Sequence, residues 1–181
     1  MSVDRNILTF VWYAIPLADT TPQPHTPSTV RRERLYLANR AGLFHFNKLH
    51  FSISPNLGST FLGAPYYRTH VYLYVRPQGQ QHPRITWSNE QTGLPNGQVH
   101  NLFQPEEYLL EHIHHHWAIT TSDPLNSSFI PTAVNLTFDT SPSINLKNGD
   151  EIFIAFWHQP EESGNPLPLR TYVIADFDWI R

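Results

Sequence analysis

Four of the five residues from His112 to His116 are histidines, in the segment EHIHHHW. On an extended strand alternate side chains share a face, so His112, His114 and His116 would point one way and His115 the other, between Ile113 and Trp117. On a helix, His112, His115 and His116 would fall at i, i+3 and i+4 and meet on one side. Either set could hold a divalent cation such as zinc or nickel through neutral imidazoles, and His112, His114 and His116 are the candidate metal ligands. The plainer alternative, which carries more weight, is a polar, partly exposed stretch at a loop or a subunit contact. Asp176 and Asp178, two apart, could supply paired carboxylates for a cation or for acid–base work. Alternation with Phe177 and Trp179 already explains both as the outer face of a closing strand. Arg31, Arg32 and Arg34 are a basic cluster broken by Glu33, and they read as a solvated strand edge or a subunit salt bridge before a nucleic-acid contact. Trp87, Trp117 and Trp157 could stack on sugars, although core or interface packing is the commoner use of Trp.

The His-x-His pair at His112 and His114 invites comparison with cupins, but no carboxylate follows at the spacing that would complete a facial triad. The chain has no G-x-S-x-G elbow, P-loop, GxGxxG or HExxH. It has no cysteine, which removes disulfide frameworks, thiol catalysis and Cys-based zinc sites together. The expectation is a non-enzymatic protein with no cofactor beyond a divalent metal at the histidines.

The elements that must position these residues are strands. A length of 181 residues is enough for one domain with a proper core, and only 15% of them are charged. The formal charge of −3, with no Arg-rich arm, argues against charge-driven nucleic-acid binding. Residues 7–18 (ILTFVWYAIPLA) form an apolar run too short to span a bilayer, so they read as a strand whose alternate residues Ile7, Thr9, Val11, Tyr13 and Ile15 meet neighbours. Residues 42–53 carry Phe44 and Phe46 on one parity and Leu49, Phe51 and Ile53 on the other, which signals a β-bulge near Asn47. His70–Arg76 alternates cleanly, with Val71, Leu73 and Val75 on the core side and Tyr72, Tyr74 and Arg76 on an amphipathic face. Pro105-Glu106-Glu107 looks like the first turn of a short helix running to about Glu111. Ile144–Leu146, the turn Asn148-Gly149-Asp150 and Glu151–Trp157 read as two adjacent antiparallel strands. Leu169–Ile180 closes the chain with Val173, Ala175, Phe177 and Trp179 on one face.

About eight such strands, with no strand–helix–strand alternation, predict an all-β chain: an antiparallel two-sheet sandwich of jelly-roll type with at most one short helix. Residues 1–181 are expected to form a single domain, with 1–30 as an N-terminal strand and extended arm.

Ala41–Ser52, His70–Val75, the L-x-x-GD strand Leu146–Phe156 and the aromatic strand Thr171–Trp179 together look like the TNF/C1q-like jelly roll. That resemblance implies a trimeric, extracellular head presenting loops such as Ser88–Gln98 to a receptor or glycan. The same strand order and aromatic closing strand resemble single-jelly-roll viral structural proteins: capsid subunits, spikes and fibre heads. This second resemblance, favoured by the few charges and Pro-rich loops, implies a virion protein that self-associates and contacts other virion proteins or a host receptor or glycan. Protonating all eleven histidines would move the formal charge from −3 to about +8, so mild acid is expected to loosen such an assembly.

Overall fold

The computed structural model describes residues 2–14, 31–55, 66–88, 100–118, 134–138, 142–160 and 169–181. Eleven strands are present among them: β1 (Val3–Ala14), β2 (Arg31–Leu37), β3 (Gly42–Pro55), β4 (Tyr66–Arg76), β5 (Arg84–Ser88), β6 (His100–Gln104), β7 (Leu109–Ala118), β8 (Val134–Phe138), β9 (Ser143–Leu146), β10 (Glu151–Pro160) and β11 (Leu169–Ile180). One sheet runs β1-β11-β3-β8, with β9 also on β3; the other runs β2-β10-β4-β7, and β5 pairs with β6. Every pairing is antiparallel.

β8 and β9 pair with successive stretches of β3 and act as one interrupted strand. With the β5–β6 hairpin set aside as an insertion between β4 and β7, the strands alternate between the sheets in jelly-roll order: first, eighth, third and sixth in one, second, seventh, fourth and fifth in the other. The two sheets bury one core between them. Phe44, Phe46, Phe51, Ile53, Val173, Ala175, Phe177 and Trp179 come from the first sheet, and Leu35, Val71, Leu73, Ile152, Ile154 and Phe156 from the second. Tyr36 bridges them, its ring 4.9 Å from that of Trp179 and 5.9 Å from that of Phe177.

The parity change in β3 is a bulge: Asp176 pairs with Lys48 and Phe177 with Phe46, leaving Asn47 unpaired in the ladder. The extra residue lets Phe46 and Leu49 both face the core. Four expectations need correcting. The stretch after Pro105 is a single 3-10 turn, Glu106–Tyr108, and the strand begins at Leu109. Ile113, His115 and Trp117 alternate with His112, His114 and His116, and pairing with β4 rewards that period-2 pattern over a helix. β9 and β10 are not neighbours, because the turn between them crosses from one sheet to the other and is tied to the β2–β3 connection by Gly149 N–H to Ala38 O and Ala38 N–H to Asp150 O. The second face of β4 is buried rather than amphipathic: Tyr72 and Tyr74 pack with Phe153 and Ala155 in a smaller cluster outside the main core. β1 also starts earlier than the apolar run, at Val3, and takes in Asp4 and Arg5.

Candidate functional site

β1 is the edge of its sheet and pairs only with β11 among the described strands. Directly paired residues share a face. Leu8 and Phe10 pair with Ala175 and Val173 on the core side, so Ile7, Thr9 and Val11, paired with Asp176, Ile174 and Tyr172, lie on the outer face. There Val3 is 57%, Ile7 59%, Val11 38% and Tyr172 37% exposed. An edge strand with apolar side chains turned outward joins two features that proteins ordinarily keep apart. Of the expected contact residues, Ile7, Thr9 and Val11 are on this surface. Tyr13 pairs with Arg170 and its side chain is not among those described, and Ile15, with residues 20–28 and 89–98, lies outside the described residues.

The histidines follow the strand reading. β7 pairs His112 with Tyr72, His114 with His70 and His116 with Arg68, so His112, His114 and His116 share the outer face of the second sheet. His115 sits on the other side with Ile113 and Trp117. The His112 ring stacks on Tyr72 at 4.3 Å, and its Nε2 lies 3.5 Å from Nδ1 of the buried His70. Among the described residues no three His, Asp or Glu side chains are grouped as a metal requires, and the His114 side chain is outside that set. Trp117 is a core residue whose indole N–H donates to Thr69 Oγ1 at 2.8 Å, while the side chains of Trp87 and Trp157 are not among those described.

Asp176 and Asp178 are on the outer face, but Asp176 is committed: Arg5 Nη2 donates to it at 2.5 Å and Asn47 Nδ2 at 3.3 Å. The Arg5 hydrogen bond, opposed by burial, holds the Asp176 carboxyl below its ordinary value. This is a strand-to-strand tie and not a pair of free carboxylates.

The chain is similar to viral capsid proteins. Aligned structures include the BFDV capsid protein as a 60-mer (9% identity, 99% of this chain and 93% of that one, TM-score 0.32) and as a decamer (8% identity, 99% of both chains, TM-score 0.30). Desmodium yellow mottle tymovirus aligns with 14% identity over 98% of this chain and 88% of that one, TM-score 0.29. No family model matches the chain, and no curated protein sequence does.

Sequence reading missed a polar network at one end of the second sheet. Glu151, almost fully buried on β10, receives Arg34 Nη1 at 3.0 Å from β2 and Arg76 Nη2 from β4. Burial pushes its carboxyl up, but the two guanidiniums outweigh that and hold it below its ordinary value. Arg76 Nη1 also donates to His82 Nε2 at 3.2 Å, which leaves the proton of the neutral ring on Nδ1, donating to the Tyr74 hydroxyl at 3.0 Å. Burial, then Arg76 and Arg32, lower the His82 pKa, and burial pushes the Tyr74 hydroxyl up to about 12. The signal for this network was a glutamate opening an otherwise apolar strand (EIFIAF), which needs a cationic partner when it is buried.

Proposed function

We propose that this chain is a structural subunit of a virus particle that builds its assembly by self-association, without catalysis. The observation that carries the reading is the outward apolar stripe Val3, Ile7, Val11 and Tyr172 along an edge strand, on a jelly-roll sandwich rigid enough to transmit contacts between neighbours. Burying such a stripe against another copy removes apolar area from water, and a stable contact needs roughly 1,000 Å² or more in total. The polar groups tie strand to strand, as Arg5 ties β1 to β11. A formal charge of −3 supports contacts with protein partners over genome condensation. Native mass spectrometry and negative-stain microscopy of the purified chain test this. Closed particles or rings are expected, and Ile7→Asp with Val11→Asp should reduce them to small species while far-UV circular dichroism is unchanged. A wild-type chain that stays monomeric at high concentration refutes the proposal.

A further inference from the structure

Among the described strands, the second sheet ends in two edges of opposite charge. β2 borders it on one side and β7 on the other, each paired with a single described strand. The β2 edge carries Arg31, Arg32 and Arg34 against Glu33, a surplus of two positive charges, and ends in Leu37, which is 48% exposed. The β7 edge follows the 3-10 turn that carries Glu106 and Glu107, both exposed, and contains Glu111, and no Lys or Arg occurs between Pro105 and Ala118. Arg31 pairs with Glu33 along the strand, and Arg34 shares the carboxylate of Glu151 with Arg76.

Strand direction fits as well. All three pairings in β2-β10-β4-β7 are antiparallel, so β7 runs opposite to β2. A second copy shifted sideways therefore brings its β2 against this β7 in antiparallel orientation and continues the ladder. The rows of the sheet place Arg31 level with Ile113, Arg32 with His112 and Arg34 with Leu109. A slide of two residues sets Arg31 opposite Glu111 on the same face and lays Arg34 alongside the 3-10 turn that carries Glu106 and Glu107, beyond the end of the strand.

We infer that a second copy of this chain docks head to tail, the Arg31–Arg34 edge of one against the Glu106–Glu111 edge of the next. The inference rests on the self-association proposed above and gives it a second, directional contact. A face contact through β1 between two copies stops at a pair when it is two-fold. A head-to-tail contact propagates until it closes into a ring, and the two together can close a shell. Exposed charge pairs set partner and register more than strength, while the ladder hydrogen bonds and Leu37 supply the attraction.

Charge exchange tests this by sedimentation velocity over a concentration series at low salt. Arg31→Glu alone and Glu106→Lys with Glu107→Lys should each raise the concentration for half-assembly at least tenfold. Mixing the two variants should restore assembly, since each then offers the other an oppositely charged edge. All three substituted residues are exposed, and melting curves verify that the variants fold; Arg31→Gln serves if the glutamate beside Glu33 is not tolerated. Wild-type assembly that neither variant weakens, but that Ile7→Asp abolishes, overturns the edge contact and leaves the proposed function standing. A monomeric wild type overturns both.

Discussion

At the scale of single residues, Glu151 and Gly42 each have a measurable role. Glu151 is a nearly buried carboxylate held by Arg34 and Arg76. Glu151→Gln removes the charge and leaves two guanidiniums facing an amide; the expected loss is about 2–3 kcal/mol, the range for hydrogen bonds to charged groups, read by urea unfolding at neutral pH. The sign of its acid dependence follows from the lowered pKa. A carboxyl that ionises more readily when folded contributes stability above its ordinary value of 4.5, and that contribution disappears as pH falls through the folded value. Asp176 acts in the same direction from 3.8 downward. The wild type should therefore lose stability steeply on acidification below about pH 4.5, with a shallower slope in Glu151→Gln. Gly42 is fixed by close approach: a Cβ there would lie 2.7 Å from Trp179 Cη2 and 2.9 Å from the Ile180 carbonyl oxygen. Gly42→Ala should cost about 1–3 kcal/mol and change the near-ultraviolet dichroism of the displaced indole.

At the scale of elements, the bulge in β3 separates what a sequence can specify from what it cannot. Phe44 and Phe46, then Leu49, Phe51 and Ile53, disagree in parity, and only one extra residue near Asn47 reconciles them, so the bulge was legible. Deleting Asn47 joins two runs that then alternate without interruption. The variant should keep its β content by circular dichroism and lose about 1 kcal/mol, roughly one hydrogen bond, the one to Asp176. Inserting a further residue at the same place also makes the Phe46–Leu49 spacing even, but it leaves two residues of β3 without partners on β11 and should lower the urea midpoint more than the deletion does. Strand positions and the core face of β11 were legible for the same reason, since a face is a local period-2 pattern. Sheet membership was not. Ile144–Leu146 and Glu151–Trp157 flank a tight turn and look like a hairpin, yet one pairs with β3 and the other with β2 and β4. The hydrogen bonds from the turn to Ala38 come from more than a hundred residues away, where no local pattern reaches. The burial of Tyr72 and Tyr74 escaped for a related reason: a tyrosine suits a wet face as well as a buried one. The exposed residues of β1 were named because their apolar character is intrinsic, while their outward direction depends on pairing with β11.

At the scale of the whole molecule, the proposed assembly and the fold should respond to acid in separate ranges. The β7 edge carries Glu106, Glu107 and Glu111 together with His112, His114, His115 and His116, while His70 and Arg68 of β4 stand level with His114 and His116. With all four histidines of this edge protonated, its formal charge changes from −3 to +1, opposite a β2 edge that is already basic. Attraction between copies should thus fail before the fold does. His82, whose pKa is lowered in the fold, adds a modest loss of stability as pH drops below ~6.5, because the unfolded chain takes up that proton more readily. The large loss waits for Asp176 and Glu151 at lower pH. Light scattering should report disassembly between about pH 7 and pH 5 while far-UV dichroism stays constant, with unfolding only below about pH 4.5. Replacing His115 and His116 by Gln should shift the disassembly midpoint to lower pH and leave the unfolding midpoint where it was. The same particle mass at pH 7.5 and pH 5 would show that the contacts between copies do not run through this edge.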